Sequence, residues 1–438
     1  MRRIILLTLG ILLLAIGVRL AFPPDVAAAS SGKIIYSFAG GADGAYPESD
    51  LIMDAAGNLY GTTNRGGTGC YGTGCGTVFE LVRTKDGWKH QVLYSFAGGT
   101  NDGADPTAGL VFDSAGNLYG TTAGGGGSNC DGGGCGTVFK LARNSQGGWS
   151  ESVLFSFTGT DSDGWSPNSD LIFDTQGNLY GTADGGTGMG FCGGELWGEV
   201  WCGIVFKLTP NSDGTWKEAT IYDFQGAPDA AVPVGPIILD TDGSFYGATE
   251  YGGTGPCVLG HDEYNPPAGC GALYKLTPSG GGWTETVIYS FLRGQGSKNP
   301  SGGLIVEKPD LVLGTSLHGG DGVGAFFQIA QTKKGWEQTV LYRFYGDPDG
   351  ENPVGRLAMG REDNLFGVTV GGGANGTGTV FELERTTRGW KERVLFNLSS
   401  TYGFPQAGPV VGSQGDIYGT LSGYYDSGLL GAVYEVVP

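Results

Sequence analysis

Three tryptophans, Trp165, Trp197 and Trp201, lie near Phe191, Glu195 and Glu199, and a second cluster follows at Tyr251, His261, Asp262, Glu263 and Tyr264. Aromatic faces stack on the apolar faces of sugars while carboxylates accept hydroxyl hydrogen bonds. Trp165, Phe191, Glu195, Trp197, Glu199, Trp201, Tyr251, Asp262, Glu263 and Tyr264 therefore make a candidate ligand-binding set for a glycan. The plainer alternative is that these rings form a miniature core for a loop insertion. Glu195 with Glu199, or Asp262 with Glu263, are also the pairs that a glycoside hydrolase or lyase would use as acid and base. Carboxylate separation and pKa decide that role, and neither is visible in a sequence. No catalytic residue is assigned.

Other chemistry is sparse. The eight cysteines fall in near pairs, Cys70 with Cys75, Cys130 with Cys135, Cys192 with Cys202 and Cys257 with Cys270. Local disulfides are the economical reading and fit an exported chain. Zinc sites prefer shorter spacings combined with a second pair or with histidines, and the histidines are only His90, His261 and His318, so no metal site is assigned. Asp161-Ser162-Asp163-Gly164 and Asp347-Pro348-Asp349-Gly350 could offer carboxylates to Ca²⁺. Asp-Gly ahead of Pro167 or Pro353 is also ordinary turn chemistry, and no cofactor is expected. Gly67-Thr68-Gly69-Cys70-Tyr71-Gly72 matches a dinucleotide fingerprint, but no helix pattern follows it and glycine is abundant.

A formal net charge of −19 argues against nucleic acid and favours an extracellular polysaccharide or a surface protein as partner. Met1-Arg2-Arg3, the apolar run from Ile4 to Val18 and Ala27-Ala28-Ala29 read as a signal peptide over residues 1–29. An uncleaved anchor is the rival. Cleavage leaves residues 30–438 as one secreted or cell-surface domain with no membrane insertion.

The elements that must position these groups come from a repeat. Gly57-Asn58-Leu59-Tyr60-Gly61-Thr62-Thr63 recurs, intact or degraded, with its tyrosine position at Tyr60, Tyr119, Tyr180, Tyr246, Leu313, Phe366 and Tyr418. Glycine is 86 of 438 residues, yet 39% hydrophobic content still allows a core, and the glycines read as turn residues. Each repeat supplies four strand-like pieces, A to D. In the first they are 50–54, 58–63, 77–81 and 88–96. Asp54-Ala55-Ala56-Gly57 joins A to B as a tight hairpin turn.

The seventh repeat has A, B and C and then stops, while residues 33–38 form an orphan D with no beginning. Pairing strand 33–38 with the last strand, 431–437, would close an all-β, seven-bladed β-propeller of four-stranded blades. Trp88, Trp149, Trp216, Trp283, Trp336 and Trp390 each stand eight residues before the end of a D piece, a register expected to pack blade on blade. The D–A and B–C loops then share one face. They are long, variable and cysteine-braced, which makes that face the candidate binding surface.

Gly-Asn-Leu-Tyr-Gly-Thr-Thr, followed by a glycine-rich loop and Gly-Thr-Val-Phe-Glu-Leu at 76–81 or Gly-Thr-Val-Phe-Lys-Leu at 136–141, resembles the GloVer tandem repeat of bacterial choice-of-anchor surface proteins. The resemblance runs from about Lys33 to Pro438 and weakens at Leu313 and Phe366. It implies an exported bacterial protein and carries no activity with it. Three functions stay open on the residues: a binding or interaction module, a carbohydrate-active enzyme using loop carboxylates of blades three and four, and a passive surface or adhesion scaffold.

Overall fold

The computed structural model describes residues 30–438 except 71, 128, 131, 161, 188–191, 193–200, 258–268, 293–296, 320–322 and 424–427. The expected signal segment lies outside the described residues. The first blade consists of strand A, Ile52–Met53, strand B, Leu59–Thr63, strand C, Thr77–Thr84, and strand D, Gly87–Ser95, each antiparallel to the next. Seven such blades surround one axis, with strand A innermost and D at the rim. Val410–Val411, Ile417–Leu421 and Ala432–Val437 supply three strands of the seventh, and Ser31–Ser37 supplies the fourth.

Ser31 faces Val437, Ile34 faces Tyr434 and Ser37 faces Ala432, so the closing ladder starts two residues earlier than the expected 33–38. A Cβ on Gly32 would fall 2.3 Å from the Phe396 ring, so this strand lies tight against the rim strand of blade six. Lys33 reaches Glu435 at 2.6 Å across the same ladder.

Strand A differs from expectation. In blade one it pairs with B only over Ile52–Met53, not over 50–54. The reason is plain in blade four, where strand A runs Ala230–Leu239 and its register jumps between Val234 and Ile238 opposite one short stretch of strand B. Extra residues on one strand of a pair bend it out of the ladder. The same jump occurs at Pro300/Leu304 and Val354/Ala358, and there blades five and six touch through Gly302 and Gly355.

Seven hydrophobic clusters fill the seven gaps between neighbouring blades. The strand-D tryptophans sit in them as their register predicts. Trp88 meets Tyr418 edge-on at 5.5 Å, Trp216 meets Tyr119 at 6.4 Å and Trp390 meets Phe326 at 5.1 Å, each across a blade boundary. Arg143 and Arg385 lie over the Trp149 and Trp390 rings and cap them against water.

The hairpin turns behave as their sequence demands. Asp54 Oδ1 accepts the Ala56 and Asn58 backbone N–H groups at 2.9 Å, and Gly57 takes φ 85°, where a Cβ would be strained. Gly61 answers a different constraint from the turn glycines. It lies inside strand B, and a Cβ there would fall 2.8 Å from Leu51 and 2.9 Å from Phe79. Its role is to let the buried Phe79 ring cross beneath the strand.

Two residues after the repeat tryptophan, strand D carries Glu151, Glu218, Glu285 and Glu392. Burial pushes the first three up to about 7 and Glu392 up to about 8, helped by Asp102, Asp163, Asp229 and Asp349 in the facing D–A loops. The unfolded chain sheds these protons near 4.5 while the fold keeps them, so stability must fall as pH rises from about 4.5 to 8. His90 and His318, both pushed down by burial, oppose this trend. Thermal unfolding followed between pH 4.5 and 8 should show the melting temperature falling, with a shallower slope in Glu392→Gln. A melting temperature that climbs across that range would refute this assignment.

Candidate functional site

Convergence of the seven A strands makes an axial cavity of about 170 Å³. Each strand enters through a Pro-x-small segment, and the small position is Ser49, Ala108, Ser169, Gly235, Gly355 or Ala407 around the wall. Small side chains let neighbouring backbones approach closely. The preceding position supplies a polar ring of Glu48, Thr107, Asn168, Ser301 and Gln406 on the D–A loop side. The following position supplies the charges.

Asp50 of blade one, Asp170 of blade three and Arg356 of blade six meet there. Arg356 Nε donates to Asp50 Oδ2 at 2.7 Å, and its terminal nitrogen lies 3.7 Å from Asp170 Oδ2. Each carboxylate also accepts a backbone N–H from the preceding blade, Gly408 to Asp50 at 2.5 Å and Gly109 to Asp170 at 2.6 Å. Burial pushes Asp50 up to about 7. Arg356 pulls it down, and the Asp170 charge adds to the rise. Burial likewise raises Glu48. Sequence reasoning missed this constellation.

On the loop face, the described members of the candidate set divide. Trp165 and Trp201 come together edge to face at 5.0 Å, both partly buried. The Trp165 backbone N–H donates to the Asp184 backbone carbonyl at 2.9 Å, and the Trp165 ring lies over Gly185. Burial raises the Asp184 carboxyl to about 6, which adds a carboxyl at this place that the sequence reading did not single out. Tyr251 packs in the neighbouring gap between blades three and four, where burial, with Glu250, pushes its hydroxyl up to about 12. Phe191, Glu195, Trp197, Glu199, Asp262, Glu263 and Tyr264 lie outside the described residues.

Two further aromatic residues stand on this face. Tyr345 is 69% and Tyr402 36% exposed, in the D–A loops leading into blades six and seven. All eight cysteines are bonded in the expected local pairs, Cys70–Cys75, Cys130–Cys135, Cys192–Cys202 and Cys257–Cys270, with Cα separations of 5.0 to 5.4 Å. The D–A aspartates are taken up by their own turns. Asp349 accepts from Tyr342 Oη at 2.9 Å and from the Tyr345 and Gly350 N–H groups, and Asp102 is held in the same way by Tyr94, Ala97 and Gly103. Among the described residues, no group of three or more His, Cys, Asp or Glu side chains is placed to hold a metal ion.

The sequence pattern of the Gloeobacter/Verrucomicrobia repeat matches residues 25–197, 74–256 and 258–438. The chain belongs to this family. No curated protein matches this Gloeobacter/Verrucomicrobia repeat chain in sequence. Among solved structures, it is similar to a protein from Lactobacillus plantarum (11% identity, 90% of this chain and 89% of that one, TM-score 0.47). It is also similar to an ulvan lyase of polysaccharide lyase family PL25 bound to -[GlcA(1-4)Rha3S]- (12% identity, 84% and 80%, TM-score 0.43). A sialidase from Trypanosoma rangeli is similar at 9% identity, 81% and 57% coverage and a TM-score of 0.42.

Arg356 links the axial cavity of this Gloeobacter/Verrucomicrobia repeat propeller to a funnel of about 540 Å³ on the A–B turn face, lined by Met53, Arg83, Val411 and Asp416. The funnel opens where blade seven meets blade one, with Met53 at the position that Phe112 and Phe173 hold in blades two and three. In their own gaps those rings lie 5.2 Å from Tyr60 and 5.1 Å from Tyr119.

Removing one partner of a buried ion pair leaves the other uncompensated. Arg356→Gln should therefore cost roughly 3 kcal/mol in urea denaturation, and the double variant Asp50→Asn/Arg356→Gln should recover much of it. Equal losses in single and double variants would show that the pair contributes nothing specific.

Proposed function

We propose that the protein is an exported binding module that holds an extracellular glycan on the face built by its D–A and B–C loops. The observation that carries this reading is the Trp165–Trp201 pair, two edge-to-face indoles at the loop end of blade three, with half-buried Asp184 paired to the Trp165 backbone. Indole faces offer apolar area at low entropic cost, and a carboxyl beside them takes sugar hydroxyls. Tyr345 and Tyr402 are exposed on the same face, in the D–A loops leading into blades six and seven. The acidic chain favours uncharged or basic polymers over sulfated ones, because like charges repel. Four disulfides fit an oxidising, extracellular compartment, and among the described residues no helix is long and apolar enough to cross a membrane.

A glycan array probed with the full chain should show retention without turnover. Trp201→Ala should weaken retention about three- to tenfold, the equivalent of one aromatic contact, with little change in melting temperature. Undiminished retention in Trp201→Ala, or turnover of the retained polymer, would overturn the reading.

A further inference from the structure

At the rim, neighbouring blades meet through three recurring positions. They are an aromatic residue near the end of one strand D, the aspartate of the D–A loop after it, and the residue two places beyond the start of the next strand D's packing position. Tyr94 with Asp102 and Glu151, Tyr222 with Asp229 and Glu285, and Tyr342 with Asp349 and Glu392 show the pattern. Glutamate holds the third position at four boundaries, and Gln338 and Ile34 hold it at two. At the seam between blades seven and one it is His90.

His90 belongs to blade one and is gripped from the closing side. Its Nδ1 lies 3.1 Å from Asp43 Oδ1, its ring stacks on Tyr36 with centroids 4.4 Å apart, and Phe38 meets it edge-on at 5.6 Å. Tyr36 Oη donates to Asp43 Oδ1, and the Ala39 N–H donates to Asp43 Oδ2 at 2.7 Å. Tyr36 is part of the closing strand Ser31–Ser37, and Phe38 and Asp43 come directly after it. One imidazole therefore anchors the end of the strand that shuts the ring.

The other side of that imidazole is bare. The side chain is only 8% exposed, and Nε2 is buried with no hydrogen-bond partner. Phe79, with its centroid 5.7 Å away, and Phe38 are rings without an acceptor, and Leu81 stands opposite His90 in the ladder with strand C. A neutral ring that donates from Nδ1 to Asp43 leaves one acceptor unused. A protonated ring would place a charged N–H in this apolar wall, which costs far more.

No neighbouring charge relieves that cost. Glu80 is turned to Tyr60 Oη at 2.7 Å, Lys33 at the far end of the closing strand reaches Glu435, and Lys89 lies exposed on the opposite face of strand D. Asp43 and Tyr36 are the titratable groups against the ring among the described residues. Burial outweighs the Asp43 carboxylate and holds the imidazole below its usual range. The rim glutamates behave in the opposite sense, since they already keep their protons near neutral pH. Of the seven residues at this position, acid brings a new charge only to His90.

We propose that His90 is an acid-sensitive latch on the closing strand: its protonation releases Tyr36 and Asp43, and the ring opens at the seam between blades seven and one and at no other boundary. At neutral pH the latch is shut. The inference does not rest on the glycan reading.

The test is native-state hydrogen exchange of the full chain at pH 7.5 and pH 5, corrected for intrinsic exchange rates. The comparison strand is Gly335–Arg343, a rim strand that carries Tyr342 at a glutamate boundary. In the wild type, the amides of Ser31–Ser37 bonded to Ala432–Val437 should lose about tenfold more protection on acidification than the bonded amides of Gly335–Arg343. His90→Gln, which cannot be charged, should abolish that difference. His90→Glu, which installs the residue of the other boundaries, should abolish it as well and covers the case in which His90→Gln does not fold. Each variant is judged against its own neutral-pH protection. Equal changes in the two wild-type strands, or an undiminished differential loss in a folded variant, would overturn the proposal.

Discussion

Circular closure is the constraint on which the rest of the molecule depends. A four-stranded blade buries its faces only against neighbours, and an open row of seven would leave two faces and two edges in water. The chain removes both ends with one strand, Ser31–Ser37, zipped onto Ala432–Val437. Because that strand comes from the opposite terminus, blade seven cannot be completed until the chain has gone round the axis. The tight fit of Gly32 under Phe396 and the Lys33–Glu435 pair fix its register.

Closure creates the axis, and the axis creates the only setting in which Asp50, Asp170 and Arg356 are neighbours. Each belongs to a different, non-adjacent blade, and each occupies the same repeat position, where a bulge turns strand A toward the centre. Small residues one step earlier allow the backbones to converge. The same circularity sorts the loops, so that cysteine-braced B–C segments and aspartate-held D–A turns form one face and short hairpins the other. Rim strands add a second layer of half-buried carboxyls, whose protons belong to the folded ring and not to the free chain.

Much of this was legible in the sequence because repetition makes register visible. The orphan D piece, the truncated last repeat and the tryptophans eight residues before each D end specify ring, blade count and interface. The cysteine pairs, close in sequence, specify their own bridges. Gly61 is legible as a strand B residue, but the reason for glycine there is the ring of Phe79, a contact across strands that no repeat spells out. The axial charges were hidden for a different reason. In six other blades the position of Arg356 holds Asp, Gly or Pro, so it looks like an unremarkable variable site until closure brings the blades together. Trp165 and Trp201 could be singled out because they break the repeat, but their edge-to-face contact is a matter of loop geometry that no spacing encodes.

Native-state hydrogen exchange across the closing ladder tests the central claim most directly. If the strand from the N-terminal side is an integral part of blade seven, those amides of residues 33–37 that bond to Ala432–Val437 exchange only through global unfolding, with the same protection as Tyr418 and Val433 in the middle of that blade. Exchange of those bonded amides at free energies well below those of Tyr418 and Val433 would mean that the ring holds without its last strand, and would contradict the account.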